Sequence, residues 1–240
     1  MSMIFQLQGA TLVPDLSGAL LWDDARTLIV ADLHFEKSSS FAAKGQLLPP
    51  YDTATTLQRL LAVIDRVRPA RVICLGDSFH DTHAADRLHP DDMAVLRSLT
   101  ARVDWLWVVG NHDPAPPDTV GGAVVHDFCL GPLTFRHIAA PGDVIGEISG
   151  HFHPKAAVAT RGKPITRACF VGDGRRLILP AFGAFTGGLN VRDPAILALL
   201  APRFEVVMLG QTKLHRFGSH QLKSQAVLTS DFYGAGKRRG

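Results

Sequence analysis

Residues able to hold metal ions or move protons recur in this chain just past apolar, strand-like runs. Asp32 and His34 follow Thr27-Leu28-Ile29-Val30, and Asp77 follows Arg71-Val72-Ile73-Cys74-Leu75 across Gly76. Asn111, His112 and Asp113 follow Trp105-Leu106-Trp107-Val108-Val109 across Gly110. His137 closes Leu133-Thr134-Phe135-Arg136, and His151 with His153 follow Ile148-Ser149 and Gly150. His126 also follows an apolar pair, Val124-Val125, and is the alternative to His137. Carboxylates, imidazoles and one amide, without cysteine, suit borderline-to-hard divalent metals such as manganese, iron or zinc; they do not suit copper(I) or iron–sulfur clusters. The donors exceed one ion's needs, and Asp77 is the natural bridge because a carboxylate can hold two ions. Two ions about 3.5–4 Å apart clamp a phosphate and activate water.

The elements that must present these residues are legible in outline. Residues 4–22 alternate short apolar runs with turn residues and read as a β-meander. Residues 52–67 carry Leu57, Leu60, Leu61, Ile64 and Val67 on one helical stripe, ended by Pro69. A second helix starts at Pro90-Asp91-Asp92, with its acidic residues at the positive end, and carries Val95, Leu96 and Leu99. The order strand, helix, strand, helix, strand predicts parallel pairing with right-handed crossovers. Carboxyl ends of such strands form one rim where ligands bind, so Asp32, Asp77 and Asn111 converge. Asp32 and His34, two apart on an extended segment, are expected to point the same way. The second half offers shorter strands and a hairpin signal at Gly172-Asp173-Gly174, predicting a more antiparallel sheet packed on the first.

Composition sets the outer limits. The 240 residues include 22 Gly and 15 Pro, which favours many short strands and turns in one domain over residues 1–233, with a basic tail at 234–240. No apolar run of about 18 residues and no basic-then-apolar start point to a membrane or to export. Cys74, Cys129 and Cys169 sit far apart in apolar runs and are expected to be reduced, buried thiols of a cytoplasmic protein. Residues 1–150 hold 11 Lys+Arg against 18 Asp+Glu, a balance of −7; residues 151–240 hold 14 against 4, a balance of +10. Lys155, Arg161, Lys163, Arg167, Arg175 and Arg176 lie in strand-like pieces near His151 and His153, where a nucleic-acid backbone could track; solvated surface charge is the plainer reading.

In order and spacing, Asp32-Leu33-His34, Gly76-Asp77, Gly110-Asn111-His112-Asp113, His137 and Gly150-His151-Phe152-His153 resemble the five motifs of the calcineurin-like metallophosphoesterases. The resemblance implies a four-layer α/β/β/α sandwich, two mixed sheets flanked by helices. It implies one metal on Asp32, His34, Asp77 and His153 and another on Asp77, Asn111, His137 and His151. His112 would be the acid at the leaving oxygen, oriented by Asp113. A narrower resemblance, carried by Asp32-Leu33-His34-Phe35-Glu36-Lys37, Leu47-Leu48-Pro49-Pro50-Tyr51-Asp52, Gly76-Asp77-Ser78-Phe79-His80-Asp81 and Pro180-Ala181-Phe182-Gly183-Ala184-Phe185-Thr186-Gly187-Gly188, is to the bacterial ligase-associated DNA-damage-response endonucleases. It implies a manganese-dependent phosphodiesterase acting on DNA, with a DNA ligase, a nuclease and a helicase as repair partners. His80 and His83 stand where they could contact substrate, or are ordinary loop residues. Phe182-Gly183-Ala184-Phe185 would form the pocket floor or a core turn. A broad phosphomonoesterase or cyclic-nucleotide phosphodiesterase is the second reading, and an inactive metal-bound scaffold in a repair complex the third.

Overall fold

The computed structural model describes residues 3–46, 48–112 and 118–223. Strands β1 (Phe5–Leu7), β2 (Ala10–Pro14), β3 (Leu20–Trp22) and β4 (Thr27–Ala31) form an antiparallel meander. The chain then passes through α1 (Lys37–Ala43) and α2 (Asp52–Val67) to β5 (Arg71–Leu75), and through α3 (Ala84–Arg87) and α4 (Pro90–Arg102) to β6 (Asp104–Val108) and β7 (Ala123–Val125). Strands β4 to β7 pair in parallel and in sequence order, as the crossovers require.

The period-two alternation of these strands serves two cores at once. Leu28, Val30, Val72, Cys74, Trp105 and Trp107 face the helices, where Leu57, Leu60, Val63 and Ile64 of α2 are buried. Leu61 and Val67, expected on the same stripe, pack at its edge. Ile29, Ala31, Ile73, Leu75, Leu106 and Val108 point the other way, onto the second sheet. Each such buried aliphatic side chain contributes roughly 1.5–3 kcal/mol.

The second sheet comprises β8 (Phe128–Leu130), β9 (Leu133–Arg136), β10 (Glu147–Ser149), β11 (Lys155–Val158), β12 (Ile165–Gly172), β13 (Arg176–Ile178), β14 (Glu205–Leu209) and β15 (Leu214–Gly218). Its order is β15-β14-β12-β13-β10-β9-β8, with β11 paired to β12. Most of its pairs are antiparallel, including the β12–β13 hairpin, but β9, β10 and β13 run parallel. Leu133, Phe135, Ile148, Phe170, Leu177 and Val207 meet the first sheet, closing an α/β/β sandwich. The fourth layer is thin. Among the described residues, Val171, Ile178, Val206 and Met208 are covered by the four-residue helix α5 (Pro194–Leu197), contributing Ile196, and by coil contributing Val191, Phe204 and Leu222.

Cys74 and Cys169 are buried as expected, but Cys129 is exposed, because β8 is the edge of its sheet and Cys129 sits on its outward face. Among the described residues no helix is long and apolar enough to cross a membrane. The tail 234–240 lies outside the described residues.

Candidate metal centre and active site

Register brings the reactive strand ends together. Ala31, Leu75 and Val108 are aligned across β4, β5 and β6, so Asp32, Asp77 and Asn111 leave one rim. Arg136, Ser149 and Ile178 are likewise aligned across β9, β10 and β13, which sends His137 and His151 off the facing rim. The two rims are stitched by backbone: the Phe182 N–H donates to the Ala31 carbonyl at 2.7 Å, and the Gly183 N–H to that of Asp32 at 3.0 Å.

The expectation of an extended Asp32–His34 segment is corrected. Asp32, His34, Asp77, His151 and His153 all have left-handed backbone, with φ of 54°, 47°, 46°, 70° and 46°. Each such non-glycine residue costs roughly 1–2 kcal/mol, and concentrated strain of this kind marks functional sites. Side-chain direction here comes from these kinks, not from strand alternation. Two glycines let the rims close. A Cβ on Gly76 would stand 2.4 Å from the His137 ring, and one on Gly150 would stand 2.6 Å from Asp32 Oδ2.

The donors fall into two adjoining groups, Asp32 with His34 and His153, and Asp77 with His137 and His151, each with ligand atoms within 4.8 Å of one another. In the first, His34 Nε2 and His153 Nε2 are 3.2 Å apart, and the latter lies 3.3 Å from Asp32 Oδ1. In the second, His137 Nε2 lies 3.2 Å from His151 Nδ1, 3.4 Å from Asp77 Oδ1 and 2.9 Å from Asn111 Oδ1, so the amide joins this group. The His151 N–H donates to both Asp32 oxygens, at 3.2 and 2.9 Å.

Electrostatics keep His34, His151 and Asp77 in ligand form. Burial, then the neighbouring His153, pushes His34 down to about 2, so it is neutral. Burial and His137 also lower His151. Burial opposes ionisation of Asp77, but its contacts with His137 and the His112 N–H outweigh this and hold it well below the usual carboxylate range. Burial likewise opposes charge on His137, yet the hydrogen bond to Asp77 and the charges of Asp32 and Asp77 raise it to about 8. Imidazole nitrogens that approach one another to 3.2 Å, with two buried carboxylates beside them, fit divalent cations.

His112 stands at the mouth of this cluster, 47 % exposed, with Nε2 3.9 Å from Asp77 Oδ2 and its N–H donating to Asp77 Oδ1 at 2.9 Å. His80 is half-buried and stacks on it, ring centroids 5.4 Å apart and 15° from parallel. Burial, then the charge of His112, lowers His80 to about 4. Asp113 lies outside the described residues. His83 is 79 % exposed beside Asp86, and His126 is exposed and in neither donor group. Two members of the expected basic track are engaged elsewhere: Arg176 is buried on Glu147, and Arg175 pairs with Asp143. Arg161, Lys163 and Arg167 remain exposed or half-buried. Lys37, which closes the Asp32–Lys37 motif and opens α1, is half-buried and adds a positive charge felt by His34 and His80.

Residues 25–141 match the family model described as Calcineurin-like phosphoesterase. Among solved structures, the chain is similar to the Pseudomonas putida nuclease MPE, with 27% identity, 90% of this chain and 100% of that chain covered, and a TM-score of 0.70. The E. coli phosphoesterase Yfce is 12% identical over 80% of this chain and 97% of that chain, with a TM-score of 0.38. The Aquifex aeolicus protein of unknown function AQ665 is 14% identical over 58% and 94%, with a TM-score of 0.37. No curated protein matches.

Proposed function

We propose that this metal-dependent phosphoester hydrolase, similar over residues 25–141 to the calcineurin-like phosphoesterases, is a phosphodiesterase cutting DNA. The observation that carries this reading is the pairing of two donor groups across the sheet rims with His112 at their mouth, in a chain 27% identical to a nuclease over nine-tenths of its length. Asp32, His34, Asp77 and His153 would hold one cation, and Asp77, Asn111, His137 and His151 the other. Manganese is the metal we favour, with iron and zinc compatible with the same donors. Divalent cations bound there supply positive charge to the phosphate oxygens and lower the pKa of water.

The remaining work falls to this chain's own groups. Asp77 fixes the His112 backbone through the 2.9 Å hydrogen bond, which aims the exposed imidazole over the cluster. His112 gives its proton to the departing alkoxide, with Asp113 as its orienting partner. His80 borders the substrate beside His112 and limits that ring's rotation by stacking on it. The amide of Asn111 adds a donor without adding negative charge that would repel phosphate. A role in DNA repair, beside a ligase, a nuclease and a helicase, is inferred from the motif resemblance, and a cytoplasmic location from three cysteines in no disulfide.

The test is a hydrolysis panel on the purified chain with manganese, zinc or iron, against bis-p-nitrophenyl phosphate, p-nitrophenyl phosphate and DNA. Diester and DNA turnover should exceed monoester turnover. A strong monoester preference without DNA cleavage would replace this reading with a phosphomonoesterase, and no turnover at all would leave a metal-bound scaffold.

A further inference from the structure

Two large aromatic side chains stand in solvent beside the donor groups. Tyr51, just ahead of α2, is 57% exposed and Phe185 is 46% exposed, and their ring centroids are 6.1 Å apart. A single exposed ring is ordinary. Phe185 is not, because its backbone is left-handed at φ 56°, a conformation bulky residues rarely adopt. The segment that lifts it out is anchored on both sides to the site. Gly183 donates to the Asp32 carbonyl at 3.0 Å, Ala184 to Thr56 Oγ1 at 3.0 Å, and Leu189 to the Phe152 carbonyl at 3.2 Å. Phe182, at the start of the same turn, is fully buried under the Arg59 guanidinium at 4.4 Å. One phenylalanine of this turn is its footing and the other is its exposed tip.

One ammonium group lies against this turn and a second stands between it and the donor groups' histidines, over the Phe41 ring at 5.8 Å. Lys155 Nζ lies 3.4 Å from the carbonyl of Thr186, the residue after Phe185. Lys37 is near enough to Lys155 for their charges to repel, and its charge is felt by His34 and His80. The Asp52 carboxylate favours charge on Lys37, but burial outweighs it and lowers the ammonium below its ordinary range. Both lysines are half-buried. Two like charges close enough to interact, one of them beside the turn that carries Phe185, next to a phosphate-handling centre, have the complementarity of a nucleotide.

We infer that Phe185 and Tyr51, with Lys37 and Lys155, form a nucleotide subsite that stacks one unpaired base and holds its phosphate, next along the strand from the phosphate at the donor groups. The inference rests on the phosphodiesterase reading above. The base must be unpaired because a ring reaches a base face only outside the duplex stack, and such stacking is tolerant of base identity.

The test compares the full chain and its variants, with manganese, on a fluorescent oligothymidylate and on bis-p-nitrophenyl phosphate, which has no base. Phe185→Ala should raise KM for the oligonucleotide by roughly five- to a hundredfold, and by a much smaller factor for the small diester. Phe185→Trp should retain a KM near wild type. Lys155→Gln should weaken oligonucleotide binding and reduce the salt slope by about one. If Phe185→Ala leaves the oligonucleotide KM unchanged, or impairs both substrates equally, the subsite is wrong while the DNA reading stands. If the wild-type chain hydrolyses the small diester but no oligonucleotide, the DNA reading falls and the subsite with it.

Discussion

His137 Nδ1 lies 3.0 Å from the carbonyl oxygen of Leu75, so one hydrogen bond ties the end of β9 to the end of β5 across the two sheets. A carbonyl can only accept, so Nδ1 carries a proton, and Nε2, which faces Asn111, His151 and Asp77, is the nitrogen a cation would take by displacing its proton. A second hydrogen bond of this kind is how proteins fix the tautomer and direction of a ligating imidazole. His137→Ala should therefore leave about one manganese per chain where the wild type binds two, and lower turnover by at least about a hundredfold. Metal analysis of both proteins decides the point, with His126→Ala as the control expected to bind as wild type. Two tightly held ions in His137→Ala would remove His137 from the site.

The His112 ring is half exposed, its nearest described carboxylate oxygen is 3.9 Å away, and its ring contacts are with His34 and His80. Its loss should act on kcat rather than on folding. His112→Ala should lower kcat on DNA by about 10²–10⁴, the usual contribution of a positioned general acid. The drop should be much smaller on bis-p-nitrophenyl phosphate, whose nitrophenolate departs without protonation. Equal losses on the two substrates would mean that His112 does not protonate the leaving group.

How far the chain could be read without coordinates differs between its halves. Strands β4, β5 and β6 are five-residue apolar runs separated by α2 and α4, and such spacing leaves little choice but parallel order and a shared rim. Asp32, Asp77 and Asn111 were therefore within reach of elementary rules. Strands β9, β10 and β13 are three or four residues long with no helix between them, so nothing in their pattern announces parallel pairing. His137 and His151 stand out as residues following strand-like runs, but only the motif resemblance set His137 above His126 and joined both to the same centre. Alternation along a strand misdescribed Asp32 and His34, because Asp and His are only enriched at left-handed φ and in most places still adopt negative φ. The turn 182–185 shows the same limit, since two phenylalanines three apart met opposite fates, one buried and one exposed.

The cysteines offer a check on the sheet order. Cys129 is exposed on edge strand β8, whereas Cys74 and Cys169 are buried. Burial also pushes the Cys169 thiol far above its ordinary range, so it holds little reactive thiolate. A native thiol titration near pH 8 should consume one equivalent promptly, and two more only after denaturant. Mass spectrometry should place the first label on Cys129. Prompt labelling of Cys169 would contradict the packing of β12 beneath the outer layer.

Beyond the rim, the segment leaving His137 is held by a fully buried ion pair. Glu147 and Arg176 are 0% and 1% exposed and 3.2 Å apart at their closest. Arg176 donates to the carbonyls of Ala140 and Gly142 at 2.9 and 2.7 Å, while Glu147 accepts from the Ala140 N–H at 2.8 Å. Removing one partner leaves the other charge buried, and for Glu147 the remaining neighbour, Arg136, is 3.5 Å away and a quarter exposed. Arg176→Met should therefore destabilise the fold by about 3–5 kcal/mol. For a chain of this size that is a fall in Tm of roughly 6–20 °C. Glu147→Met/Arg176→Met should recover part of the loss, because no uncompensated charge then remains. Thermal unfolding of the wild type, the single variant and the double variant measures this coupling directly. A double variant less stable than Arg176→Met would show instead that the Ala140 and Gly142 contacts, rather than the charge pair, hold the segment behind His137.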